Sequence, residues 1–427
     1  MKDNNGLVLV AVLWIVAVMT AIAAVVGQTS RLNMKMAATA TDEVRCKWAC
    51  RAGTEHAIAV LAEDLKASDS LSDLWSDNAQ DFNDAVLERC RYTVRVTDEA
   101  GKLNINTVTK EQLMALPYME EYIADAILDW RDGDEEPQTQ GVEGGYYETL
   151  PIPYKIRNGP LRTIRELLQV KGFTEDLLYG EDTNLDGQLD YNERDRDVSP
   201  PLDNGDEVLD QGWIAYLTCC SYEKNVDADG NKRININQAD QKQLESDLGI
   251  KTSQAKWIVD NRSGGYKSIA DLINDQSAKT SGQSSSGGQD QAEPIDLQTF
   301  SQIADRITIN GQDKIPGRVN INTAPKQVLM ALFGGDDSAE QLAHTVMANR
   351  ASLLYGFESI AELLNQESMT TAKFKAIAEQ ITVRSDVFTI RCYATADVSG
   401  ARMQTECVVD RSETPCAVLY WCQGANY

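Results

Sequence analysis

The chain has 427 residues, 42% of them hydrophobic, which supplies two or three domains with a core and excludes a disordered tail. Its 40 lysines and arginines stand against 65 aspartates and glutamates, a formal net charge of −25. Such a surface lacks the clustered cations that bind phosphate backbones, so nucleic acid is a poor partner and calcium a better one.

The N-terminus reads as a six-residue leader ending in Gly6, followed by an apolar run from Leu7 to Val26 with only Thr20 as a polar interruption. Twenty helical residues rise about 30 Å, the thickness of a bilayer core, so the run is read as a membrane span. A short leader placed before the apolar run has the layout of a type IV prepilin-like signal, cut between Gly6 and Leu7 with the helix retained. Cleavage near Ala21-Ile22-Ala23 is the ordinary secretory alternative. Past the membrane the helix is expected to continue to about Lys66, with Val44, Trp48 and Ala52 four apart on one stripe. Pilin-like subunits carry a glutamate at the fifth residue after cleavage; here that position is Ala11. A carboxylate in hydrocarbon costs about 2.5–3.5 kcal/mol unless an amine awaits it, so its absence points to a subunit at the tip of a filament.

Cys90 to Thr97 alternates apolar and polar residues as a strand does, and Asp386–Ala396, Arg402–Asp410 and Ala417–Cys422 read as two or three antiparallel strands. Together they make one small sheet packed on the long helix, an α+β head with about 280 residues inserted after its first strand.

The insertion repeats itself. It opens three times on one tetrapeptide pattern, Asn104-Ile105-Asn106-Thr107, Asn235-Ile236-Asn237-Gln238 and Asn320-Ile321-Asn322-Thr323. Each start is followed by a helix and by a second one ending at Arg131, Arg262 or Arg350. A third segment then recurs as Leu161–Leu167, Tyr266–Leu272 and Phe357–Leu363. These are helix-hairpin-helix or SAM-like units, with Thr107 and Thr323 expected to cap the following helix and the paired asparagines to satisfy turn backbone. Leu113 with Leu116, and Leu329 with Leu332, supply buried stripes. Lys279–Gln291, rich in serine, glycine and glutamine, reads as a surface loop.

The sharpest chemical motif is Asp182, Asn184, Asp186, Gly187, Gln188, Asp190 and Glu193, which fills the twelve-residue calcium-loop pattern. Oxygens fall at positions one, three and five, a glycine at six, a backbone carbonyl at seven (Gln188) and a bidentate carboxylate at twelve. With no exiting helix or paired second loop in the pattern, the role expected is structural rather than switching. A second acidic cluster, Asp129, Asp132, Asp134, Glu135, Glu136 and Glu143, has no fixed ligand spacing, so a solvated face and a cation site both stay open. Asn225-Val226-Asp227-Ala228-Asp229-Gly230 starts like a calcium loop but reaches Ile236 at position twelve, and is read as a hairpin turn.

Two histidines, His56 and His344, are too few and too far apart for a zinc site or a histidine triad. Neither a serine elbow nor a phosphate-cradling glycine loop occurs, so no enzyme is expected. Nine cysteines include one adjacent pair, Cys219 and Cys220. The late set Cys392, Cys407, Cys416 and Cys422 fits disulfides or buried thiols equally, and Cys46 with Cys50 reads as free thiols.

Taken in order, Gly6 with Ala11, Gly101-Lys102-Leu103-Asn104-Ile105-Asn106, Asp129-Trp130 running into acids and Tyr146-Tyr147, Asn158-Gly159-Pro160-Leu161, Glu166-Leu167, Lys171-Gly172 and Tyr216-Leu217-Thr218 resemble the minor pseudopilin K family of type II secretion systems. The resemblance implies a pilin-like fold carrying a helical insertion, a place at the pseudopilus tip beside minor pseudopilins I and J and the major pseudopilin, and a role in initiating assembly and protein export. It also implies bound calcium at the stretch from Asp129 to Glu143, an inner-membrane anchor with the bulk in the periplasm, an N-methylated start at Leu7, and secreted substrate as a further contact. The third Asn-Ile-Asn unit, the serine-glycine loop and the Asp182 loop depart from that family. A minor pilin of a type IV pilus and a membrane-tethered helix-hairpin-helix DNA-binding protein are the alternatives. On this reading residues 1–6 are leader, 7–26 membrane helix, 27–100 helix and first strand, 101–380 insertion with units at about 101–175, 232–275 and 317–368 and the loop at 182–193, and 381–427 the closing strands.

Overall fold

The computed structural model describes residues 5–64, 67–182, 184–185, 187–189, 191–194, 205–273 and 292–424. It opens on a single helix, α1 (Asn5–Glu63). Residues 8–41 of α1 stand almost wholly clear of the rest of the chain, and the stretch is long and apolar enough to cross a membrane.

From Cys46 onward α1 gains a buried face. Cys46, Ala49, Cys50, Gly53, Ala57 and Leu61 share one helix face at three- and four-residue steps and lie buried against a five-stranded antiparallel sheet. The strands are β1 (Ala85–Leu87), β2 (Cys90–Asp98), β3 (Val387–Ala396), β4 (Arg402–Asp410) and β5 (Ala417–Gly424), adjacent in that order. The register sets Ile390 opposite Val96 on one side and Cys407 on the other. Small residues let the helix lie close: a Cβ on Gly53 would fall 2.8 Å from Cys392 Sγ, 2.8 Å from Tyr92 Cδ2 and 2.9 Å from Val94 Cγ2. Trp75 and Phe388 close the far end of this core edge to face at 5.1 Å. This is the α+β head expected from the sequence, with one further strand, β1, too short to show an alternation.

Between β2 and β3 the chain makes three units of one design. The first holds α2 (Lys110–Met114) and α3 (Glu121–Arg131), the second α4 (Gln241–Leu248) and α5 (Thr252–Asp260), and the third α6 (Lys326–Phe333) and α7 (Asp337–Ser352). In each, Oδ1 of the first asparagine accepts the backbone N–H of the second, at 2.9 Å on Asn104, 2.9 Å on Asn235 and 3.0 Å on Asn320. The second asparagine then pairs both ways with the backbone of the third segment, Asn106 with Leu161, Asn237 with Tyr266 and Asn322 with Phe357, all between 2.8 and 3.0 Å. The arginine at the end of the second helix reaches back to the carbonyls of the opening turn: Arg131 to Ile105 and Val108, Arg262 to Ala239, Arg350 to Ile321 and Ala324. Backbone groups that the turn leaves unpaired thus find buried partners, which is why these residue types recur.

Each unit is also closed by a fourth segment, a two-residue parallel pairing back onto its asparagine strand. Leu217-Thr218 pairs with Leu103-Asn104, Ile307-Thr308 with Ile234-Asn235, and Ile381-Thr382 with Val319-Asn320. One apolar core runs through all three units, whereas the core between α1 and the sheet is separate. Leu113, Leu329 and Phe374 are fully buried in the former, each contributing about 1.5–3 kcal/mol against exposure.

The capping expectation is corrected. Thr109, not Thr107, caps α2, in a capping box with Gln112, because the turn after the asparagine strand is two residues longer than supposed. Pro325 occupies that position before α6, and Thr323 donates instead to Asp98 Oδ2 at 2.5 Å. Asp98 ends β2 and also accepts from Asn320 at 3.1 Å and Ser385 at 2.6 Å, so a buried carboxylate ties the third unit to the head. The Asn225–Gly230 stretch forms a turn, Asp227 N–H donating to Asn231 O at 2.8 Å, beneath a bridge between Val226 and Lys232. The Lys279–Gln291 loop lies outside the described residues.

Candidate metal centre

The acidic cluster after the first hairpin comes together at the C-terminal end of α3. Asp129, in its last turn, is fully buried, and Asp132 follows as the C-cap. The chain then loops out and returns so that Glu143 precedes the short helix Gly144–Glu148. Carboxylate oxygens of Asp132, Asp134 and Glu143 lie within 4.8 Å of one another. Gly141 is needed on the return: a Cβ there would sit 1.8 Å from Asp129 Oδ2.

Both Glu143 oxygens, Asp129 Oδ2, Asp132 Oδ1 and Asn158 Oδ1 are buried with no hydrogen-bond donor. Asp129 Oδ1 accepts from Gln138 N–H at 2.9 Å, which fixes the ring of the return loop around it. Burial, then the charges of Asp129, Asp132, Glu135 and Asp134, push the Glu143 carboxyl up to about 7. Burial and then Asp132 raise Asp129, and burial and then Asp134 raise Asp132. Buried oxygens that lack donors and repel one another are a hard-cation donor set: three carboxylates and one amide carbonyl, with exposed Asp134 beside them, suit calcium, which takes six to eight oxygens and tolerates irregular geometry. Glu135 stands at the rim, its Oε1 accepting from Asn158 Nδ2 at 3.1 Å, and Glu136 is exposed with its N–H on Asp134 Oδ1 at 2.9 Å.

An aromatic wall backs the cluster. Trp130 meets Tyr147 edge to face at 5.1 Å, and its indole N–H donates to Glu166 at 3.1 Å. Buried Asp125 and half-buried Lys110, not singled out by the sequence pattern, form an ion pair at 2.6 Å one turn before Asp129. Their signal was only an acid four residues ahead of another on one helix face.

The Asp182 loop lies elsewhere, on the sheet. Asp182 and Glu193 are buried, Asn184 half-buried and Gln188 exposed. Asp186 and Asp190 lie outside the described residues. Asp182 Oδ2 accepts from Gly187 N–H at 3.0 Å, and Gly187 takes the left-handed φ of 63° that the sixth position of such a loop requires. The loop docks on the head through its backbone: Tyr393 of β3 donates to Leu185 O and Gln404 of β4 to Asn184 O at 3.4 Å. Of the two histidines, His56 packs on Phe82 and His344 is exposed beside Glu340.

Comparison with known proteins gives a consistent picture. Residues 101–179 and, separately, 319–384 match family models described as type II secretion system (T2SS), protein K, so the matches fall on the first and third units. Type II secretion system protein K of Pseudomonas aeruginosa is 28% identical over 197 residues, 40% of this chain and 58% of that one. Its counterpart in Klebsiella pneumoniae is 24% identical over 189 residues, again 40% and 58%. The chain thus spans less than two thirds of the length of these relatives. Among solved structures, a chain of the GspK-GspI-GspJ complex from the type 2 secretion system of enterotoxigenic Escherichia coli is covered to 98% by 90% of this chain, with a TM-score of 0.50 at 15% identity, a likeness of fold.

Proposed function

We propose, on the premise that this chain belongs to the type II secretion system protein K family, that it is a minor pseudopilin at the tip of the pseudopilus, where it helps to start assembly and so supports export of proteins across the outer membrane. The observation that carries this reading is the split head: a long apolar helix laid on a small sheet, with units matched to protein K inserted between neighbouring strands. An anchor without a carboxylate from Leu7 to Val26 suits a subunit that has no terminal amine ahead of it to neutralise. The GspK-GspI-GspJ complex supports the partner class, two further minor pseudopilins, and on this reading the major pseudopilin lies below them.

On this reading Gly6–Leu7 is the processing bond, the apolar helix sits in the inner membrane, and the head lies in the periplasm. Calcium is held by Asp129, Asp132, Asp134 and Glu143, and a second ion by the Asp182 loop, where each braces a turn rather than taking part in a reaction. Co-expression with the two other minor pseudopilins of the same system tests the function. A complex should co-purify from detergent, and deleting the chain should stop secretion into the medium. Unimpaired secretion without it, together with no complex, would overturn the proposal.

A further inference from the structure

The adjacent thiols Cys219 and Cys220 sit where the first unit meets the sheet. The closing strand Leu217–Thr218 ends there, and the chain is held on both sides of the pair. Thr218 donates to buried Glu99 at 2.5 Å and its hydroxyl accepts Cys220 N–H at 3.2 Å, while Ser221 receives the Asn104 side chain at 3.0 Å on its carbonyl. Between these anchors the two sulfurs point the same way, Sγ to Sγ 3.4 Å, with Cys219 Sγ also 3.1 Å from Arg162 O.

Both thiols line a cavity of about 330 Å³ whose other walls include Ile214, Leu217, Val408 and Tyr420. The cavity is mainly apolar, and both cysteines are half-buried, so a small reagent reaches them from it. Two further sulfur pairs, Cys46 with Cys90 at 3.7 Å and Cys50 with Cys392, are sealed in the core between α1 and the sheet. A bond forms at about 2.05 Å, so the sulfurs of Cys219 and Cys220 must close by little more than an ångström; adjacent Cα atoms, about 3.8 Å apart, fall short of the usual disulfide span, so the eight-membered ring is strained and readily reduced again.

We propose that Cys219 and Cys220 are a redox-active vicinal pair that closes to a disulfide in the cavity wall, the oxidant being a protein or small-molecule disulfide. One thiolate attacks that disulfide, releasing one thiol and leaving a mixed disulfide. The neighbouring thiolate then displaces the second thiol, so two electrons and two protons pass to the oxidant and one ring of eight atoms closes. Inside the cell this rests on the periplasmic location proposed above, because only an oxidising compartment keeps such a bond closed. The geometry itself does not depend on location.

The test uses the full-length chain purified in detergent. Material quenched with an alkylating agent at lysis and then digested should yield the peptide spanning the pair unalkylated and lighter by two hydrogens, taking up two alkyl groups only after reduction. Reduced protein incubated with oxidised glutathione should close the same bond. Reduced wild type should bind phenylarsine oxide one to one at this peptide, and Cys219→Ala and Cys220→Ala should each lose that binding. Alkylation of both thiols in wild type after the glutathione incubation, or a bond from either to a different cysteine, would overturn the proposal. Closure in vitro with open thiols at lysis would support the site and refute the location instead.

Discussion

Gly53→Ala sets two opposed effects against each other at one position of α1. In an exposed helix interior, alanine is better than glycine by about 1 kcal/mol. Here the added methyl would meet Cys392 Sγ at 2.8 Å, Tyr92 Cδ2 at 2.8 Å and Val94 Cγ2 at 2.9 Å, three side chains on two neighbouring strands. None is the free end of a long chain, so relief requires the helix to lift from the sheet. Overpacking of this kind costs about 1–3 kcal/mol, and three simultaneous contacts below 3 Å place it in the upper part of that range, about 2–3 kcal/mol. The net expectation is a loss of about 1–2 kcal/mol, read as a fall of about 1–2 °C in the melting temperature of the detergent-solubilised chain of 427 residues. Gly27 lies in the same helix, and a Cβ added there would have no heavy atom within 4 Å, so Gly27→Ala should show no loss. Adding Cys392→Ala to Gly53→Ala should restore part of the stability through a coupling above about 0.5 kcal/mol. A Gly53→Ala chain as stable as wild type, with no coupling to position 392, would refute this account of how helix and sheet approach.

Calcium added to chelator-treated protein should raise the melting temperature, by the equivalent of about 2.7 kcal/mol per site at a hundredfold excess over Kd. Asp132→Asn with Glu143→Gln should abolish the part due to the first site and Asp182→Ala with Glu193→Ala the part due to the second, while no rise in the unmutated chain would count against both. Arg350→Met strips donors from the Ile321 and Ala324 carbonyls, bonded at 2.8 and 2.7 Å, and should cost about 2–4 kcal/mol in denaturant unfolding. Burial alone would raise Glu223, but the guanidiniums of Arg233, Arg318 and Arg384 outweigh it and hold the carboxyl down at about 2. Its folded pKa lies below the ordinary 4.5. The stabilisation it gives is therefore complete above that value and is lost as acid takes the solution toward about 2, which Glu223→Gln should show as a flatter acid limb in a melting curve series.

The parts of the fold that were legible in the sequence are those with a period or a repeated signature. The apolar run and its continuation marked α1, alternation marked β2 to β5, and three recurrences of Asn-Ile-Asn with a following arginine marked the units. The closing strands escaped notice because two residues have no period, although Leu217-Thr218, Ile307-Thr308 and Ile381-Thr382 share a signature of aliphatic residue then threonine. In the candidate metal centre the acidic residues were visible, but not which of them the return loop brings back. Gly141 decides that by leaving room for the Asp129 carboxylate, and Asn158 adds a carbonyl from a segment that no spacing rule connects to it.

The strands that bracket the insertion are immediate neighbours: Asp98, at the end of β2, is paired with Phe388 near the start of β3. Entry and exit of the helical region therefore lie side by side on one rim of the sheet, a gap that an ordinary hairpin turn would span. The pairing of β2 with β3 constrains only the two ends of the insertion, which must return to within one strand spacing of each other.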